Sequence, residues 1–171
     1  MAAVRIVMVV CLLALAGSAA AASGTSGRTI STTGVTLRLP TRWHAAVSRT
    51  PDCDPERLIV ASSEPLRISA GGRVASPASR AVIVLLLEDR QVQDRPSGDL
   101  RLPRHFRIDW NDLRTLEPDG FCGNPKGPAA MHYFKTHSRY LGYIVYPGSS
   151  VGPRVRAQTV ALMDSLRVTR R

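Results

Sequence analysis

Short runs of alternating apolar and polar residues recur along this chain, separated by clusters of Gly, Pro, Ser and Asp. Val35, Leu37 and Leu39 fall on one face of Gly34–Pro40, the period of a half-buried strand that Pro40 stops. Trp43 opens a second short strand through Ala46 and Val47, with its ring as a plug for the turn, and Leu58–Ala61 reads as a third. Ala81–Leu87 is apolar at every position, which predicts a central strand covered on both faces. Phe106–Trp110 alternates again and is expected to be a strand. Ala130–Thr136 and Tyr140–Tyr146 flank Ser138-Arg139 and read as a hairpin that gathers most of the aromatic residues.

The period changes once, near the end. Val155, Thr159, Leu162, Met163 and Leu166 recur at helical spacing, with Pro153 suited to the first turn and Ser149 or Ser150 placed to cap it. Between these elements, Ser62–Ser79, Gln91–Arg104 and Glu117–Pro128 are rich in turn-formers and are expected to be loops. The pattern predicts an α+β domain, a mainly antiparallel sheet with a C-terminal amphipathic helix packed on it.

The first 22 residues follow a different logic. Arg5 precedes the apolar run Ile6–Ala16, and Gly17, Ser18 and Ala19–Ala22 supply the small residues a signal peptidase needs. We therefore expect a signal peptide over 1–22, cut near Ala22-Ser23, a flexible lead over 23–33, and one domain over 34–171, secreted or held in the cell envelope. The alternative for the leader is an uncleaved anchor, at the short limit of a bilayer span. Cys11 leaves with the leader, so in an oxidising compartment Cys53 and Cys122 are expected to form one disulfide.

Charge changes the picture further. The formal net charge is +10, falling to +9 without Arg5, and Lys126 and Lys135 are the only lysines. Arginine suits bidentate binding of phosphate or carboxylate. The arginines are scattered rather than run together, which predicts a solvated basic surface. Anionic envelope polymers or lipid head groups are the expected partners, and nucleic acid is not. Arg139, beside the aromatic hairpin, is the candidate anion-binding residue.

No catalytic set emerges, and no cofactor or metal site is expected. Gly148-Ser149-Ser150-Val151-Gly152 matches G-x-S-x-G between a strand and a helix, but no histidine follows Ser150 as the hydrolase order requires. His132 and His137 are five apart, on opposite faces of a strand. Glu88-Asp89 and Asp109 with Asp112 are too ordinary in a chain with 13 acids to signal a glycosidase. The favoured reading is a non-enzymatic domain that binds or supports an envelope component. The alternative is a small hydrolase or metal-dependent enzyme with a non-local site using residues such as His132, Asp109 and Ser150.

Taken together, Leu39-Pro40-Thr41-Arg42-Trp43, the central apolar strand, the late hairpin and the closing helix with Ser165-Leu166-Arg167-Val168 resemble the Mog1/PsbP-like α/β/α sandwich. Cys53-Asp54-Pro55 and Leu102-Pro103-Arg104 are similar to features of small secreted proteins of high-GC actinobacteria. That superfamily includes photosystem assembly factors, a Ran-binding protein and bacterial lipoproteins, so the resemblance implies a fold without a function. Protein recovered from the medium should begin within a few residues of Ser23 by intact mass. A full-length, detergent-dependent species would instead establish the anchor.

Overall fold

The computed structural model describes residues 27–50, 52–89, 101–116 and 122–170. The expected signal peptide, with its expected cleavage site and Cys11, lies outside them. The elements run β1 (Thr29–Thr32), β2 (Val35–Arg38), β3 (His44–Val47), β4 (Glu56–Ser62), β5 (Val82–Asp89), β6 (Arg114–Leu116), β7 (Gly127–Thr136), β8 (Arg139–Pro147), α1 (Pro153–Asp164) and β9 (Arg167–Val168). All strand pairings are antiparallel, in a six-stranded sheet ordered β3-β4-β5-β8-β7-β6 and a small sheet ordered β1-β2-β9. This is the α+β class that the pattern predicts, with the helix on a sheet.

β4 and β5 occupy the interior of the large sheet, and nearly every one of their side chains is buried. The uniform run at 81–87 has this cause: both faces are covered, so no position needs a polar side chain. On one face Ile59, Ala61, Val84, Leu86, Phe134, Tyr143 and Val145 pack against β2, α1 and the 102–110 segment. Across the sheet Val60, Ile83, Leu85, Leu87, Ile144 and Tyr146 pack against Val74, with Leu66 and Ile68 partly buried beside it. The 62–79 stretch, expected to be an exposed loop, is in part the cover of this second face.

α1 begins at Pro153 with Gly152 as its N-cap, and no side chain caps it, so Ser149 and Ser150 do not serve. Thr159, Leu162 and Met163 form its buried face, and the Thr159 hydroxyl donates to the Val155 carbonyl at 2.8 Å, which satisfies a buried polar group within the helix. Ser165 then joins the helix to the small sheet. Its Oγ accepts from the Arg38 backbone N–H at 2.9 Å and donates to the Leu162 carbonyl at 2.6 Å. Trp43 is buried, and its indole N–H donates to Gln158 Oε1 at 3.3 Å.

Three expectations are corrected. Thr29–Thr32, placed in the flexible lead, forms β1 and pairs along β2 from Thr29↔Arg38 to Thr32↔Val35. Phe106–Trp110 is not a strand. Phe106 and Ile108 are buried as the alternation requires, but the segment crosses the sheet face, and the Phe106 N–H donates to Asp164 Oδ1 at 2.7 Å. Alternation reports burial of every second side chain, and a ladder is only one way to achieve it. The hairpin turn is His137-Ser138, both residues with positive φ as a tight two-residue hairpin requires, so Arg139 belongs to β8 and pairs with Thr136.

Cys53 and Cys122 are bonded, with their Cα atoms 5.7 Å apart and 69 positions between them in sequence. Beside the bridge lies Arg57, 1% exposed. Its Nε donates to Ser48 Oγ at 3.2 Å, and Nη1 donates to the Cys122 carbonyl at 3.1 Å and Asn124 Oδ1 at 3.2 Å. Nη2 donates to the Gly72 carbonyl. The acceptors are all neutral, and burial pushes the guanidinium below its ordinary pKa. One cation thus ties the β3–β4 connection, the second-face cover and the approach to β7. Arg57→Met would leave the buried Cys122 carbonyl and three part-buried acceptors without this donor and is expected to cost about 2 kcal/mol in urea unfolding. Because the bridge and Arg57 hold the same 122–124 segment, the Arg57 penalty should shrink in the Cys53→Ser, Cys122→Ser background. Additivity within about 0.5 kcal/mol would show the two to be independent.

Candidate ligand cleft

β7 is ten residues long and β6 only three, so their pairing covers just Gly127–Ala129. Among the described residues, the outer edge of β7 next meets another segment where Arg101 bridges to Lys135. Between these points the 107–112 segment stands off from the sheet, and a cleft of about 260 Å³ opens. Tyr143, Ile108 and Ala130 line its inner part, and Arg107, Asp109, Asp112, Arg114 and His132 contribute its polar groups.

Packing fixes the floor. Phe106 meets Phe134 and Tyr143 edge-to-face at 5.8 and 5.5 Å, and the His132 ring lies 6.0 Å from that of Tyr143. Tyr143 is 3% exposed, and its hydroxyl has no hydrogen-bond partner among the described residues, yet it is not sealed from solvent. Burial raises the Tyr143 pKa above the usual phenol value, which keeps the hydroxyl a donor. Arg107, Arg114 and Asp112 are exposed and make no ion pair among the described residues. Asp109 is partly used: its Oδ1 accepts the Asn111 and Asp112 backbone N–H groups at 2.9 and 3.3 Å, which shapes the turn.

Of the residues singled out in the sequence, Asp109, Asp112 and His132 come together here. Ser150 does not: it is exposed in the turn before α1, where its N–H donates to the Ser79 carbonyl at 2.7 Å. Gly148 has a packing reason, since a Cβ there would collide with the Ala78 and Ser79 carbonyls, and Gly152 is the helix cap. The G-x-S-x-G match is a turn and a cap. His44 lies on edge strand β3, His105 sits 3.5 Å from Asp164, and His137 occupies the hairpin turn. No group of three His, Cys, Asp or Glu among the described residues is placed to hold a metal.

Arg139, expected to offer an anion contact, is instead 7% exposed and faces inward. Its Nε donates to Glu88 Oε1 at 2.7 Å and its Nη1 to the Thr33 carbonyl at 2.8 Å, docking the β1–β2 turn on the large sheet. That position does not present it to an external anion. Arg107 and Arg114 went unnoticed in the sequence because nothing distinguishes them there from the other scattered arginines. The arrangement depends on β6 being short.

The chain matches no protein-family model, no curated protein and no solved structure. Among the described residues no helix is long and apolar enough to cross a membrane.

Tyr133 shares the upward shift of Tyr143: burial raises it first, with help from the negative charges of Asp89 and Asp54. Tyr133 and Tyr143 should therefore ionise late in an alkaline titration followed by phenolate absorbance. The folded state holds these protons more tightly than the unfolded chain, so the contribution is intact below the ordinary phenol value of about 10 and fades as pH rises through the folded values. Tyr143→Phe should remove part of the late absorbance change. An unchanged late phase would place Tyr143 in solvent.

Proposed function

We propose that this chain is an exported, non-enzymatic binding domain that engages an anionic polymer of the cell envelope. One observation carries the reading. Among the described residues, the charged side chains withdrawn into the interior are Glu56, Glu88, Arg57 and Arg139, two of each sign, so the basic excess of those residues is left at the surface. A positive surface outside a reducing cytosol attracts anions over roughly a Debye length, about 10 Å at 0.1 M salt. The disulfide fits that location. A polymer is favoured over a membrane because Val47 and Met131 are the only large exposed apolar side chains among the described residues, too few for an insertion surface.

The alternative enzyme gains partial support, since Asp109 and His132 share a cleft. Yet no ion pair joins them within 4.0 Å, and Ser150 lies elsewhere. A Mog1/PsbP-like fold remains part of the proposal, supported by the Pro-x-x-Trp start and the Ser165–Val168 close, although α1 is the only helix among the described residues. Retention on purified anionic cell-wall polymer should be strong at 10 mM salt and fall at least tenfold by 100 mM. Arg107→Ala with Arg114→Ala should weaken it further at fixed salt. Equal retention on neutral polymer would overturn the reading, and stronger binding to anionic vesicles would move the partner to lipid head groups.

A further inference from the structure

We infer that the cleft beside β7 takes the charged ends of a short zwitterionic peptide, its carboxylate on Arg107 and Arg114 and its ammonium on Asp112. This rests on the proposed function in one respect, that the cleft is where the domain selects a unit of its polymer. Four features point to this ligand class. The rim carries both signs, and Arg107, Arg114 and Asp112 have no ion-pair partner among the described residues. A purely anionic group held by the arginines would face Asp109 and Asp112. A simple cation would meet the arginines instead. Only a ligand bearing both signs satisfies the whole rim.

The second feature is size: about 260 Å³ admits a dipeptide-sized group and excludes a long stretch of polymer. The third is the β7 edge, which lacks a strand partner between Ala129 and Lys135 among the described residues and so leaves main-chain groups for an extended peptide to meet. The fourth is the buried Tyr143 side chain, which lines the cleft with Ile108 and Ala130 and gives it an apolar floor that suits a small apolar side chain.

The test uses the folded domain with its disulfide intact and four probes: Ala-Ala, N-acetyl-Ala-Ala, Ala-Ala amide and sodium acetate. Amide chemical-shift changes should cluster at 107–114 and 129–132 with Ala-Ala. Removing the ammonium or the carboxylate charge should each weaken binding at least tenfold, and acetate should be weaker still. Asp112→Asn should weaken Ala-Ala but leave N-acetyl-Ala-Ala unchanged, and Arg107→Ala should do the reverse for the amide. Both positions are exposed, and retained shift dispersion checks the fold. Equal binding of the acetylated probe would make the cleft a plain anion site and overturn the inference. Shifts elsewhere, or none, would also overturn it. Polymer retention without dipeptide binding would defeat this inference alone. Dipeptide binding without retention would defeat the envelope reading alone.

Discussion

A six-stranded sheet whose central strands are buried on both faces, with one helix of 12 residues among the described residues to cover it, is the constraint behind most of this structure. Sheets of this kind gain their stability from apolar area removed from water, about 25 cal/mol per Å². Irregular chain and a small second sheet must cover what α1 does not reach. Such segments cannot satisfy their backbone groups by a ladder along their length, so they are fastened by side chains. Arg57 and the disulfide hold the second-face cover and the approach to β7. Asp164 holds the 102–110 segment through the Phe106 N–H, Ser165 holds β2, and Arg139 with Glu88 holds the β1–β2 turn. Buried charge is therefore concentrated where loops or small elements must be docked.

The same constraint explains why polar residues occur deep in the fold. Glu56 lies opposite Glu88 across the β4–β5 pair, an unfavourable neighbour at first sight. Each has an arginine: Arg49 Nε donates to Glu56 Oε1 at 2.8 Å, and Arg139 serves Glu88. The Arg49 pKa is raised by its hydrogen bond to Glu56 and by the charges of Glu56 and Glu88. Taking one arginine away would remove the nearest opposite charge from a buried carboxylate, which is costlier than the net worth of the pair.

What was legible in the sequence follows from which forces leave a periodic trace. Uniform burial marked β5, a 3.6-residue stripe marked α1, and paired aromatic runs marked the β7–β8 hairpin. Cysteine arithmetic sufficed for the bridge, because only Cys53 and Cys122 lie beyond the expected signal peptide. β6 left no trace, since Arg114-Thr115-Leu116 has one apolar residue and pairs through its backbone. β1 was hidden for a similar reason, although its Thr, Ile and Thr residues are good strand formers. Arg139 misled because its sequence context is a polar turn, while its environment comes from Thr33 and Glu88, 106 and 51 residues away. The cleft was least legible of all: it is a gap between elements, and a gap has no residue of its own to announce it.

On the proposed reading, that gap also separates two scales of recognition. The surface excess of arginine acts at a distance, is cut by salt, and distinguishes only the sign of a partner. Within the cleft the charges are few, mixed and close to a tyrosine that keeps its proton. Short-range contacts there would discriminate, because a wrong ligand strands a charge it cannot match. A domain with only the first property would adhere to any polyanion. The shortness of β6 against β7 adds the second, at no cost to the core, since the residues it uncovers are the rim and not the buried rows of β4 and β5.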